Sequence, residues 1–400
     1  MKRFFALILA SAMALSLAAC GSSNKPADSS KSSSGSAAAS SGASSSAASS
    51  SSAASSSAST GDQYPGMVVY RDGDPAADLN ASITSTDKIT WTIAACLQES
   101  NPQSQALQKI ADELSKSTNG NFTWDIYFNS ELGSEADAVE LVRNNTAQFV
   151  TSNVTVMPTY VDTFGVFALP YLFHSELDEL NYLSSNQTAF DLYKQLEQTA
   201  NLVTLGFNCT GSRCLSTKGV DQISSPADLA AKGVKIRSMQ ANVWQDVISS
   251  LGATPVPIAY TELYTALQTG VVQGQDNPVA NTVDGKFYEV LDTFYRTEHC
   301  YLVSGYYTNT ETWDVLPQDY KALLEGLMEK YLGNYYHEEI LKFQQTAEKT
   351  MKDAGVKFVE QSDLAMDDFY LSASKMINEK YMSNEAYAKI INDVKTTFNY

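Results

Sequence analysis

The segment from residue 233 to residue 278, GVKIRSMQANVWQDVISSLGATPVPIAYTELYTALQTGVVQGQDNP, constrains this chain more than any other part of it. Its apolar spacing predicts a strand, a helix, a second strand and a second helix, in that order. Arg237, Gln240, Tyr260 and Asn277 fall at the ends of these elements. Open α/β sheets bind small molecules at the ends of their strands, so the segment predicts a ligand site that includes these side chains.

The rest of the chain also alternates between strand and helix patterns. Residues 88–93 and 122–128 predict strands, and residues 101–118 between them predict a helix. A longer helical stretch runs from residue 317 to about residue 353. Strands that alternate with helices are typical of mostly parallel sheets with helices on both faces. We therefore predict an α/β fold in which two such units leave a cleft between them.

The N-terminus is predicted to be a sorting signal and not part of the fold. Lys2 and Arg3 precede an apolar run that is too short to span a bilayer, so residues 1–19 are predicted to be a signal peptide. Cys20 follows Leu-Ala-Ala and resembles the cysteine of a bacterial lipobox, which implies that its thiol is lipidated. Ordinary secretion with an incidental cysteine is the alternative interpretation.

Residues 20–62 are mostly serine and alanine, which cannot bury a core, so we predict a flexible tether that starts at the lipidated cysteine. A random coil of about 40 residues spans roughly 35 Å, which suits a domain held at the outer face of a membrane. The remaining chain is long enough for two domains. The formal net charge of −18 argues against nucleic-acid binding, which needs a basic surface.

Side chains that could support catalysis, a metal or a cofactor are sparse. None of the 3 histidines lies in a metalloprotease or deaminase pattern, and the predicted globular part has no nucleophile elbow or phosphate-binding loop. The cysteines after Cys20 lack the spacing of a zinc site. The sequence is compatible with one disulfide, for which Cys209 and Cys214 are close in sequence, and equally with buried free thiols. We expect no enzyme activity, no metal and no cofactor. The cysteines concerned are Cys96, Cys209, Cys214 and Cys300.

The segment that opens this subsection also carries a known family pattern. Its VKIR strand end, the GATPVP stretch and the run ELYTALQTGVVQGQDNP resemble the signature of the solute receptors of tripartite ATP-independent periplasmic (TRAP) transporters. Further matches lie at 117–135, 167–173 and 286–290. The resemblance covers nearly all of the predicted globular part.

The resemblance implies a two-domain, periplasmic-binding-protein-like α/β fold with hinge strands and a long domain-spanning helix. Residues 84–210 plus 303–340 would form the first domain. Residues 211–302 plus 341–400 would form the second.

Two arginines are the main candidates for ligand binding. In the family, the arginine at the position of Arg237 is a carboxylate clamp, and a guanidinium can hold a carboxylate with two parallel hydrogen bonds. The residue pattern alone leaves a structural salt bridge equally open for Arg237. The segment GSRCLS resembles a family motif that makes Arg213 the second cation, with a solvated surface arginine as the alternative.

The resemblance also implies weaker candidates. Asn277 would donate its amide to the bound carboxylate, and Tyr260 would pack on the carbon skeleton of the ligand, although a core tyrosine is equally compatible with the pattern. Gln273 stands where relatives commonly have aspartate. The remaining candidate ligand contacts are Gln240, Glu99 and Asn153.

The function implied is an extracytoplasmic, lipid-anchored receptor in the bacterial cell envelope. It would capture a small organic carboxylate and deliver it to a TRAP-type membrane permease, without chemistry on the ligand. A binding component of a sensory system is the first alternative, and a surface hydrolase is the second. The identity of the acid stays open at this point.

Overall fold

The computed structural model describes residues 82–400, so the predicted signal peptide, Cys20 and the tether lie outside the described residues. Nine strands of this part form one sheet in the order β2-β1-β3-β8-β4-β7-β5-β6, with β9 beside β8. The strands are β1 (Ile89–Ala94), β2 (Phe122–Tyr127), β3 (Phe149–Asn153), β4 (Leu202–Thr217), β5 (Lys235–Ser238), β6 (Thr254–Pro257), β7 (Gly274–Asn277), β8 (Thr293–Asn309) and β9 (Lys357–Val359).

Thirteen α-helices connect and cover these strands within residues 82–400. They are α1 (Pro102–Ser117), α2 (Glu135–Arg143), α3 (Glu176–Ser185), α4 (Gln187–Ala200), α5 (Pro226–Lys232), α6 (Asn242–Ser250), α7 (Leu263–Thr269), α8 (Val279–Asp284), α9 (Thr310–Val315), α10 (Gln318–Met328), α11 (Tyr336–Asp353), α12 (Met366–Met376) and α13 (Glu385–Phe398). A π-helical segment, Glu329–Tyr335, joins α10 to α11, so the long predicted helix is continuous.

Two parallel units are joined by two long antiparallel strands. β1 pairs in parallel with β2 and β3, and β5 pairs in parallel with β6 and β7. β4 and β8, of 16 and 17 residues, run antiparallel along each other, and they also pair with β7 and β3. The alternation of strands and helices predicted the parallel units, whereas only the family resemblance implied the crossing strands. The structure contains the parallel units and the crossing strands.

The pairing of β4 with β8 is irregular near the middle of both strands. The register shifts between Cys209 and Ser212, and Gly211 between them has φ +120°. A Cβ atom on Gly211 would lie 2.6 Å from Nε2 of Gln344 in α11, so this position needs glycine on two counts. A bulge of this kind bends a strand at the place where it crosses between the units.

Both faces of the sheet are buried by helices. Ala94 and Val150 belong to one hydrophobic cluster, whereas Ile93 and Phe149, their neighbours along β1 and β3, belong to another. Because successive side chains of a strand point to opposite faces, this division places one core on each side of the sheet. The α/β fold class predicted from the sequence is confirmed.

The described residues also bear on the cysteines and on membrane spans. Cys96, Cys209, Cys214 and Cys300 are free, so the disulfide that the sequence left open is not formed. Across residues 82–400 no helix combines the length and apolar character that a membrane crossing requires. The same residues contain no group of three or more His, Cys, Asp or Glu side chains placed to hold a metal ion.

Candidate functional site

A cavity lies where the inner ends of the two parallel units meet β4 and β8. The space that water-sized molecules can reach inside it is about 70 Å³, several times what one water molecule needs. The cavity is lined by Cys96, Leu97, Gln103, Ser130, Ser134, Glu135, Thr151, Ser152, Asn153, Thr210, Arg213, Arg237, Met239, Tyr260, Thr261, Asn277, Asn281, Leu302 and Ser304. Five of the seven predicted contacts, Arg237, Arg213, Asn277, Tyr260 and Asn153, are therefore in one place.

Arg237 is a buried cation without a carboxylate partner among residues 82–400. It lies in β5 with 4 % of its surface exposed, and its Nε donates to the carbonyl of Ile258 at 2.8 Å. Burial lowers the pKa of Arg237 to about 10. The positive charge of Arg213 also lowers this pKa, whereas the negative charge of Asp276 raises it. The guanidinium thus stays charged at neutral pH. A buried charge of this kind is costly unless an anion pairs with it.

Arg213 is already paired. It is fully buried in β4, where Nε contacts Oδ2 of Asp276 at 2.8 Å and Nη2 donates to the carbonyl of Asp276 at 2.6 Å. Its guanidinium lies over the ring of Trp244, 4.5 Å from the centroid. Nη1 has no partner among the described residues. The alternative of a solvated surface arginine is therefore wrong, and Arg213 combines a structural ion pair with one unpaired donor that can meet a ligand.

Asp276 is the anion of this pair. Burial opposes its ionisation, but the charge of Arg213 and a hydrogen bond from His299 outweigh it and lower the pKa of Asp276 to about 2. Nε2 of His299 lies 3.3 Å from Oδ2 of Asp276, and burial lowers the pKa of His299, so a neutral imidazole donates there. Asp276 immediately precedes Asn277, but sequence reasoning missed it because its partner is 63 residues away.

Asn153 and Asn277 bring side-chain amides to the cavity. Asn153 ends β3 and caps the next turn, with Oδ1 accepting from the backbone N–H of Thr155 at 2.9 Å, while its buried Nδ2 has no partner among the described residues. Asn277 ends β7 and donates Nδ2 to Oε1 of Gln275. An amide nitrogen carries two protons, so Asn277 keeps a second donor.

Tyr260 borders the same cavity, and its side chain contacts residues of the parallel unit that contains β5, β6 and β7. Its hydroxyl donates to the carbonyl of Asn281 at 3.2 Å, and its ring meets Phe287 edge to face with centroids 5.3 Å apart. Burial raises the pKa of Tyr260 far above its usual range, so the hydroxyl is neutral. Its fixed ring can form an apolar wall for a ligand.

Two predicted contacts lie elsewhere. Gln240 lines a neighbouring cavity that it shares with Arg237 and Tyr260. Glu99 is exposed and lines none of the cavities described here. Gln273, where the family resemblance implies aspartate, accepts the backbone N–H of Lys235 through Oε1 at 2.8 Å, which fixes the start of β5.

Glu135 is a cavity residue that sequence reasoning missed. Ser134 and Asp137 form the predicted capping box of α2, and this box places Glu135 at the first helical position. Its carboxylate accepts from the backbone N–H of Asn153. Burial raises the pKa of Glu135, while that hydrogen bond, one from Ser152 and the charges of the two cavity arginines lower it. The capping box was the signal available, but it predicted a helix start and not a cavity wall.

Comparison with known proteins assigns the chain to a family. The model of the family described as "Bacterial extracellular solute-binding protein, family 7" matches residues 93–384. The chain belongs to this family. Its members are solute-binding proteins of transport systems, and the expected resemblance to TRAP receptors is confirmed.

Two relatives and one solved structure illustrate the similarity. The C4-dicarboxylate-binding periplasmic protein DctP of Rhodobacter capsulatus is 30% identical over 288 residues, which are 71% of this chain and 84% of DctP. A solute-binding protein of Roseobacter denitrificans is 29% identical over 243 residues, 61% of this chain and 73% of that protein. A TRAP periplasmic solute-binding protein of Chromohalobacter salexigens with bound D-glucuronate superposes with a TM-score of 0.71 at 24% identity, covering 76% of this chain and 99% of that one.

Proposed function

We propose that this chain is a lipid-anchored extracytoplasmic receptor that captures a small organic carboxylate and delivers it to a TRAP-type permease. The observation that carries the proposal is the buried, charged guanidinium of Arg237 at the cavity, which has no carboxylate partner among residues 82–400. A ligand carboxylate is the natural partner for such a group. The relatives that bind C4-dicarboxylates and glucuronate belong to the same chemical class of ligand.

Three further donors support anion capture. Nη1 of Arg213 and Nδ2 of Asn153 are buried without hydrogen-bond partners in the part of the chain that the structure describes, and Asn277 keeps a donor that its contact with Gln275 does not use. Charge-assisted hydrogen bonds contribute about 1.5–3 kcal/mol each. Two or three of them suffice for micromolar affinity after the cost of association, and no chemical step on the ligand is involved.

Ligand entry requires the cavity to open, because Arg237, Asn277 and Asn153 are all nearly fully buried. We infer that the two units rotate at the irregular stretch of β4 around Gly211, where its pairing with β8 shifts register. We infer an open form that admits the acid and a closed form, like the one described here, that buries it.

The binding part of the proposal is tested by a thermal-shift screen against about a hundred organic acids, followed by a turnover assay of the hits. A ligand at 100 times its dissociation constant adds about 2.7 kcal/mol of stability, which is a readily measured shift. We expect a few acids to stabilise the protein and to be recovered unchanged. If no acid stabilises it, or if the hits are converted, the proposal fails.

The anchor is tested separately through Cys20. In membrane fractions of cells that express the full chain, we expect the wild-type protein to sediment with the membrane. Cys20→Ala should leave the protein uncleaved or release it from the membrane fraction, because no thiol remains for lipidation. A Cys20→Ala protein that is trimmed normally and stays with the membrane would contradict the lipoprotein assignment.

A further inference from the structure

The two parallel units touch each other at one edge of the ligand cavity. The loop of residues 95–101, between β1 and α1 of the first unit, lines the cavity with Cys96 and Leu97. The helix α8, which follows β7 of the second unit, lines it with Asn281. Asp284 lies one helical turn after Asn281, on the same face of α8. Its carboxyl group is therefore placed beside the cavity, where α8 meets the loop.

Asp284 joins the two units through two hydrogen bonds. The side-chain amide of Asn101 donates to Oδ1 of Asp284 at 3.3 Å, and the backbone N–H of Gln98 donates to the same carboxyl group. Asp284 and Asn101 are both buried. The hydroxyl of Tyr260 donates to the carbonyl of Asn281, which holds α8 to the second unit. A rotation that separates the units would break both hydrogen bonds to Asp284.

We propose that Asp284, Asn101 and the backbone of Gln98 form a clasp that holds the cavity closed and makes the capture of an acid tighter at acidic pH. The proposal rests on the proposed capture of an organic acid by a cavity that opens and closes, and it names a regulation of that site. None of the three residues lines the cavity. The clasp therefore changes affinity through the balance between the open and closed forms, without touching the ligand.

The pH dependence follows from the burial of Asp284. In the closed form burial raises the pKa of Asp284 to about 6, although the two hydrogen bonds lower it. In an open form the carboxyl group would meet water, where its pKa is about 4. Between these two values the closed form binds a proton that the open form has lost, so a fall in pH from 7 to 5 favours closure. At pH 7 closure buries a charged carboxylate instead, and this cost weakens capture.

Other ionisable groups pack around Asp284. Tyr260 and Tyr336 of α11 interact electrostatically with it, and burial raises the pKa of each tyrosine far above its ordinary range, so both are neutral. The strands β4 and β7 also pack on α8 and carry Arg213 and Asp276, which neutralise each other at 2.8 Å. Three exposed charged side chains lie on the loop and on the turn after α8, where water screens them; they are Glu99, Lys286 and Glu289.

The first test compares the pH dependence of binding in wild-type protein and Asp284→Asn. Calorimetry at pH 7 and pH 5 uses D-glucuronate, the acid bound in the solved relative, or the most stabilising acid of the screen if D-glucuronate does not bind. Asparagine is neutral at both pH values. We therefore expect the gain in affinity from pH 7 to pH 5 to be at least about fivefold larger in the wild type.

A matched control separates this effect from other titrations. Asp112 is an exposed residue of α1 that accepts from the side-chain amide of Gln108 at 2.9 Å, so Asp112→Asn makes the same chemical change outside the clasp. Its pH dependence should equal that of the wild type. Glu135 and His299 are present in all of these proteins, so any effect of their titration cancels in the comparison.

The second test reverses the clasp. Asn101→Asp keeps a residue that caps α1 well but sets two carboxyl groups against each other, so binding at pH 7 should weaken at least about tenfold. The double variant Asn101→Asp with Asp284→Asn restores an amide and a carboxyl group with their positions exchanged. Its affinity should return to within about threefold of the wild type. Thermal melting shows that each variant folds.

Each outcome decides a different point. Equal pH dependence in the wild type and in folded Asp284→Asn overturns the pH effect of the clasp. Wild-type affinity in Asn101→Asp, or a double variant that binds no better than Asn101→Asp, overturns the clasp itself. In these cases an acid still binds, and the proposed receptor stands. If no acid of the screen binds the wild type, the proposed function fails and the clasp with it.

Discussion

At the scale of single residues, two arginines that look alike in the sequence have different surroundings. Arg213 is held by Asp276, by a backbone carbonyl and by the ring of Trp244, whereas Arg237 donates to one carbonyl and has no carboxylate partner among the described residues. The sequence predicted that both arginines belong to the site. It could not predict this division of roles, because Asp276 reaches Arg213 only through the pairing of β4 with β7.

Removing Arg213 should therefore affect stability more than removing an arginine of the surface. Arg213→Ala leaves Asp276 buried and ionised without its partner, so the free energy of unfolding should fall by about 3–5 kcal/mol. Arg296→Ala, which breaks half-exposed pairs with Glu348 and Glu360, should cost about 1 kcal/mol. Urea unfolding of the two variants measures the difference. Equal costs would mean that the Arg213–Asp276 pair contributes no more than a surface pair.

At the scale of elements, the sequence predicted local features well. Asn101 caps α1 with Pro102 in the first turn, and Ser134 with Asp137 forms the capping box of α2, as their spacing indicated. These signals are local in the sequence, so they can be recognised without knowledge of the fold. Contacts between elements were not predictable. The amide of Asn101 also donates to Asp284 of α8 at 3.3 Å, and nothing in either sequence segment indicates the other.

The burial of Asp284, which accepts from Asn101, should make stability depend on pH. Burial raises the pKa of Asp284 to about 6, although hydrogen bonds from Asn101 and from the backbone of Gln98 lower it. Between about pH 4 and pH 6 the folded protein then binds a proton that the unfolded chain has lost, so this residue makes stability increase as pH falls through 6.

The variant Asp284→Asn isolates this effect, because it is neutral at every pH and can still bond to Asn101. We expect its free energy of unfolding at pH 7 to exceed that of the wild type by on the order of 2 kcal/mol, with the difference vanishing near pH 4. Urea unfolding across this pH range measures it. A constant difference from pH 4 to pH 7 would show that Asp284 titrates normally.

Two glycines with similar backbone angles should respond differently to substitution. Gly252 after α6 has φ +89°, and a Cβ atom there would lie 2.0 Å from the carbonyl oxygen of Pro226. Gly120 has φ +76° and open space around its Cβ position. Gly120→Ala should cost about 1 kcal/mol for the backbone angle alone, and Gly252→Ala about 1–3 kcal/mol more for the clash. Thermal melting compares them, and equal costs would contradict the close packing at Gly252.

At the scale of the whole molecule, the sequence predicted the α/β fold class and five of the residues that line the cavity. Arg237, Tyr260 and Asn277 were placed together by the strand and helix pattern of one segment, whereas Arg213 and Asn153 were added to the site only through the family resemblance. Glu135 was missed because its place in the cavity depends on how α2 faces β3. The boundaries of the two domains remain a prediction, because the single sheet passes through both parallel units.

The most direct measurement is titration calorimetry of the best-bound acid against wild-type protein, Arg237→Lys and the surface control Arg143→Lys. Lysine keeps the charge but not the two parallel donors, so Arg237→Lys should bind at least about thirtyfold more weakly, a loss of roughly 2 kcal/mol. Arg143 pairs with Glu140 at the surface, and its lysine variant should bind like the wild type. Wild-type affinity in Arg237→Lys would contradict a carboxylate site at Arg237.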